Sequence, residues 1–100
     1  MATTTKALAR TAAATSSTTL YTVPSATTTV VSNIVVTNTA GSAGTFTLLL
    51  DDVSIATTVS VGAYDSTIID MKQVLAATKT IKGLASATTI NFNISGVEIA

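Results

Sequence analysis

The stretch TVVSNIVVTNTAGSAGTFTLLLDD, Thr29 to Asp52, predicts two strong β-strands joined by a turn of small residues. Val, Ile and Thr dominate both flanks, and these residues suit a pleated, half-buried surface. TAGSAG, Thr39–Gly44, is turn chemistry. Phe46, Leu48 and Leu50 alternate with Thr47 and Leu49, which places the three on one face. Nothing in the stretch is reactive, so its neighbours must show whether the chain does chemistry at all.

The period of two continues outward on both sides. Thr18–Val23 reads as a strand closed by Pro24-Ser25, and Thr28–Asn38 as a long second strand. Thr45–Leu50 is followed by an Asp51-Asp52 turn and by Val53–Val61, whose Val53, Ile55, Val59 and Val61 are expected on one inward face. Gly62–Asp65 turns the chain again, and Thr67–Met71 is a short strand. KQVLAA, Lys72–Ala77, is expected as one helical turn or a loop, with Val74 and Leu75 plugging an end of the core. Lys79–Leu84 and Thr88–Ser95 are the last strands, with Ile90, Phe92 and Ile94 inward and Gly96 marking a bulge. Short alternating strands between regular turns predict an all-β protein, an antiparallel β-sandwich of about seven strands, immunoglobulin-like or jelly-roll-like. That domain is expected over residues 18–100. Residues 1–17, MATTTKALARTAAATSS, are expected as an extended N-terminal arm, too poor in large apolar residues to fold alone and ordered only when something holds it.

Composition narrows the function classes. One hundred residues suffice for one domain with a single core. Cysteine is absent, which excludes disulfides and thiolate sites. Histidine and tryptophan are also absent, removing the commonest general base, the commonest metal ligand and the best stacking platform. Five basic residues balance five acidic ones, so there is no basic patch for nucleic acid and no cationic surface for a membrane. The longest apolar runs, such as Leu48–Leu50, fall far short of the ~20 residues of a membrane span. The N-terminus has no leucine-rich secretory core, which leaves the expectation of a protein made and assembled inside a cell. Only 10% of residues are charged, and a near-neutral surface of small polar groups favours association.

Candidate chemical motifs each have a plainer explanation. Asp51 and Asp52 are adjacent in a turn, and calcium would need more oxygens than Asp65, Asp70 and Glu98 add. Serines have no histidine to activate them, and neither G-x-S-x-G nor S-x-x-K occurs. GSAG lacks the lysine of a phosphate loop, and NIS at Asn93–Ser95 is a chance sequon without a secretion signal. The T-x-T pairs Thr37/Thr39, Thr45/Thr47 and Thr78/Thr80 could form an ice-binding ladder, but their spacing is irregular. No catalytic, cofactor-binding or metal-binding residue is therefore assigned. Tyr21 and Tyr64, the only tyrosines, are candidate anchors at a protein interface.

The order of features also carries a resemblance. TTLYTVPS (Thr18–Ser25) leads into VVSNIVVTN (Val30–Asn38), then FTLLLDD, VLAATKTIKGLAS (Val74–Ser86) and NFNISGVE (Asn91–Glu98). This resembles small β-sandwich virion proteins of tailed bacteriophages, over Thr18–Ala100. Such proteins carry a LYTVPAGTT-like opening, matched by Tyr21 to Pro24, and an Asn closing the second strand, matched by Asn38. An L-x-A-G-D-x-I segment matches Leu75 to Ile81, and a late Glu matches Glu98. At LAATKTI, Thr78-Lys79 replace the usual Gly-Asp, where glycine would supply a positive φ. The resemblance implies architectural work: a capsid decoration or cement protein in the virion, made in the host cytoplasm. Its expected partners are the major capsid protein or other virion proteins and copies of itself, with a trimer as the expected oligomer. The interface is expected at Thr3, Thr4, Thr5, Lys6, Leu8 and Arg10 of the arm, adding a strand to a neighbour, and at Tyr21 and Tyr64. A tail, neck or fibre component, and a carbohydrate- or host-recognition module using Tyr64, are the alternatives.

Overall fold

Alternating apolar residues need a second apolar layer, and here the chain supplies it by folding back along its whole length. A computed structural model describes residues 2–100. It contains eight strands: β1 (Thr3–Ala12), β2 (Thr18–Thr22), β3 (Thr28–Asn38), β4 (Gly44–Leu50), β5 (Val53–Val61), β6 (Ser66–Leu75), β7 (Thr80–Ala85) and β8 (Ile90–Ile99). The first sheet has the order β1-β8-β3-β6 and the second β2-β7-β4-β5. Every pairing is antiparallel.

The pairs β1·β8, β2·β7, β3·β6 and β4·β5 nest like the two arms of one long hairpin closed at Asp51-Asp52. Both turn residues have positive φ, 52° and 61°, the backbone of a two-residue turn that matches strand twist. Wrapping the hairpin lays β3 beside β8 and β4 beside β7. Eight strands in this order form a jelly roll, which separates it from the immunoglobulin alternative. Phe46, Leu48 and Ile81 of one sheet and Ile34, Phe92 and Ile94 of the other are fully buried between the layers. Phe46 and Phe92 meet edge to face, with centroids 6.3 Å apart.

Four expectations need correction. The segment expected as an extended arm is strand β1, hydrogen-bonded to β8 of its own chain from Thr3↔Ile99 to Ala12↔Asn91. It is the eighth strand, and Leu8 and Ala13 lie in the core, so it is no separate unit. Met1, the first residue of that expected arm, lies outside the described residues. Lys72–Leu75 is not a helical turn or loop but the end of β6, in which Leu75 fills the core as expected and Val74 is 65% exposed. In β5, Val53 and Ile55 are exposed while Ala56, Val59 and Val61 pack inward. The register slips twice, around Ile55 and Thr57–Thr58, which displaces Ile55 as an extra residue, while Val53 is level with Leu50 but lies exposed beside the turn on an edge strand. Finally, β8 runs unbroken through Gly96, and the extra residues belong to its neighbours, Leu8 on β1 and Ser32 on β3. Gly96 is required because a Cβ there would lie 2.4 Å from the Val30 carbonyl oxygen.

Candidate interaction surface

Two polar hubs close the ends of the sandwich. At one end, Thr29 on β3 faces Glu98 on β8 in register, and Tyr21 on β2 reaches across from the other sheet. The Tyr21 hydroxyl lies 2.5 Å from Glu98 Oε2 and 2.9 Å from Thr29 Oγ1. Lys6 Nζ donates to the same Glu98 oxygen at 3.4 Å. Burial pushes the Tyr21 pKa up, and the adjoining carboxylate adds to this. The hydrogen bond from Tyr21 in turn holds Glu98 below its ordinary carboxyl value, with Lys6 helping. Tyr21 therefore stays a neutral donor and Glu98 a charged acceptor, an arrangement that clasps the two sheets.

At the opposite end, Asn38 is 1% exposed and holds the β3–β4 turn. Its Nδ2 donates to the carbonyls of Ser42 (2.8 Å), Val61 (3.3 Å) and Gly62 (3.3 Å), and its Oδ1 accepts from Ala40 N at 3.0 Å. Tyr64, in the β5–β6 loop, donates its backbone N–H to Ala40 O at 3.0 Å. Its ring covers Gly41, where an added Cβ would lie 3.1 Å from the hydroxyl. The ring is nonetheless 76% exposed.

These positions sort the expected interface residues. Thr3, Thr4, Thr5, Lys6 and Arg10 are exposed along edge strand β1. Leu8 is buried, its Cδ1 packed against Gly96. Tyr21 is buried with its hydroxyl engaged inside the chain, and so presents nothing to a partner. Only Lys6 and Tyr21 converge, through Glu98; Tyr64 lies at the far end. One side of β1 is spent on β8 of the same chain, so strand addition to a neighbour would use its outer edge, which is irregular at Leu8. The edge strands β2, β5 and β6 each carry a register irregularity as well, a device that discourages edge-to-edge pairing.

The more extensive surface is one that the alternation concealed. All five large exposed apolar residues, Val53, Ile55, Tyr64, Ile68 and Val74, stand on β5, β6 or the loop between them. Ile68 and Val74 continue rows across the outer face of the first sheet. One row is Thr5–Val97–Val30–Val74; another is Arg10–Asn93–Val35–Ile68; between them runs Ala7–Ser95–Asn33–Asp70. The signal in sequence was Ile68-Ile69, where adjacent apolar residues must point to opposite faces. A shallow depression of about 540 Å³, lined by Ser32, Asp70, Met71 and Lys72, opens where β3 and β6 fall out of step. Among the described residues no three acidic side chains gather as a metal site. The arrangement offers surfaces for contact. No family model matches the chain, and no curated protein matches it.

Proposed function

We propose that this chain is a structural virion protein of a tailed phage, a capsid decoration or cement protein that binds and stabilises the head shell. The observation that carries the reading is the gathering of the exposed apolar residues Val53, Ile55, Tyr64, Ile68 and Val74 on β5, β6 and the loop between them. Exposed apolar patches of this kind mark interaction sites. The resemblance of Thr18–Ala100 to small virion sandwiches supplies the context. On a shell, each contact can be weak, because many copies held by symmetry add through avidity. The partners are then the major capsid protein or other virion proteins, met through sheet faces. The test is to add purified chain to particles assembled without it and pellet them. Cosedimentation with a gain in heat stability is expected; chain left in the supernatant at saturating particle concentration contradicts the reading.

A second reading has its own observation. Tyr64 is 76% exposed on a loop braced by Asn38 through the carbonyls of Gly62 and Asp65, a suitable platform for a sugar face or a host receptor. Tyr64→Ala would then abolish glycan or cell binding, whereas the decoration reading expects no change. A tail, neck or fibre position would use the same faces at lower copy number.

A further inference from the structure

We propose that two copies of this chain pair through the outer faces of their β1-β8-β3-β6 sheets, about a two-fold axis parallel to the strands, with Arg10 of each copy meeting the partner's Asp70. The inference does not depend on placement in a virion.

Charge picks out both the face and the axis. Lys6, Lys79 and Lys82 are already paired with Glu98, Asp51 and Asp52. Among the described residues Arg10 and Asp70 have no such partner. They stand on opposite edges of one face, Arg10 on β1 and Asp70 on β6, in neighbouring rows. A two-fold axis parallel to the strands lays the β1 edge of one copy over the β6 edge of the other and keeps each row at its own level. Arg10 then lies one row, about 7 Å along the strand, from the partner's Asp70. An axis perpendicular to the strands would instead lay β1 over β1 and bring Arg10 toward its own copy. Lys72, exposed beside Asp70, falls between the levels of Ala7 and Lys6, and the Lys6 ammonium is already held by Glu98.

The apolar side chains fit the same operation. Val97 and Val30 sit on the two central strands and straddle the axis, so each faces the other across the interface. Val74 and Ile68, each 65% exposed, cover the partner's β1 edge. Four strands about 4.8 Å apart and about 30 Å long give ~600 Å² per copy, or ~1,200 Å² in all, the lower end of specific interfaces. The outer face of the second sheet carries half-buried Leu49 and Leu84 among Thr45, Thr47 and Ser60, but its Lys82 is already held by Asp52 at 2.9 Å.

Sedimentation equilibrium of the full chain over a range of concentrations tests this. The expected result is a monomer–dimer equilibrium. Arg10→Asp and Asp70→Arg should each weaken it by about tenfold or more through like-charge contacts, and the double exchange should restore it. Both positions are exposed, and unchanged circular dichroism and melting would show that each variant folds. Val30→Lys provides an independent disruption. A monomer at every concentration, a trimer, or a dimer indifferent to the exchanges would each overturn the proposal.

Discussion

Removing the Asn38 side chain should cost this protein a large part of its stability. Its amide group has two hydrogens for three carbonyls, so it makes two good donor bonds, and its oxygen accepts a third from Ala40. At about 1 kcal/mol net for each, Asn38→Ala loses about 3 kcal/mol, before any carbonyl left unpaired in the buried end is counted. A domain of this size has roughly 5–15 kcal/mol in total. The melting temperature should fall by about 12–20 °C, read by far-ultraviolet circular dichroism. Asn38→Asp distinguishes lost hydrogen bonds from lost volume. It keeps the shape and the bond from Ala40 but turns an acceptor toward three carbonyls. Its carboxyl is then stabilised in the protonated form, so this variant should gain stability relative to wild type as the pH falls. Ser42→Ala is the control, because only the Ser42 backbone carbonyl takes part, and it should melt within a few degrees of wild type. An Asn38→Ala protein that melts as wild type does would refute the role given to this residue.

Three further outcomes follow from the same geometry. Thr78 holds φ at 71°, a conformation unfavourable for a β-branched residue. Relief of about 1–2 kcal/mol, offset by the extra chain entropy of an unfolded glycine, leaves Thr78→Gly stabilised by about 0.5–1 kcal/mol; a lower melting temperature would contradict this. Gly96→Ala should destabilise more than Gly83→Ala in urea titrations, by about 1–3 kcal/mol or more against less. At Gly96 the obstacle is the Val30 backbone oxygen, whereas at Gly83 it is the ends of the Leu20, Phe92 and Leu48 side chains, so equal midpoints would count against it. Glu98 has its folded pKa lowered from 4.5 by Tyr21, so its contribution is present above that value and lost as the pH falls through the folded one. Tyr21→Phe should flatten the acid limb of a melting-temperature profile below pH 4.5, because only Lys6 then holds the carboxylate. Asp52, held low by Lys82, contributes alike to both proteins, and parallel profiles would contradict the clasp.

Much of the fold was legible where alternation ran uninterrupted. β3 has the expected bounds, and the inward residues of β4 and β8 are the expected Phe46, Leu48, Leu50, Ile90, Phe92 and Ile94. β5 was misread at Ile55, which falls in one of its two slips, and at Val53, which lies exposed beside the turn, and nothing local in VSIATTVSV marks the slips. Thr58 takes a positive φ of 49° there without a glycine to announce it. The described glycines do not adopt positive φ at all, whereas Ala26, Asp51, Asp52, Thr58, Tyr64 and Thr78 do, so glycine was a poor guide to turns. β1 escaped because its pairing joins the two ends of the sequence, Thr3 with Ile99, and a chain of Thr and Ala carries little local signal. The same distance hid the clasp: Tyr21 and Glu98 are 77 residues apart in sequence. Exposure of Lys6, Arg10 and Tyr64 was readable, but the rows that align Arg10 with Ile68 exist only once the register is known.

The most direct measurement for the proposed role is the copy number of this chain in purified particles, by quantitative mass spectrometry against the major shell protein. A decoration protein predicts hundreds of copies per particle. Six to a few dozen would move it to the neck, tail or fibres, and its absence from particles would contradict the virion role altogether.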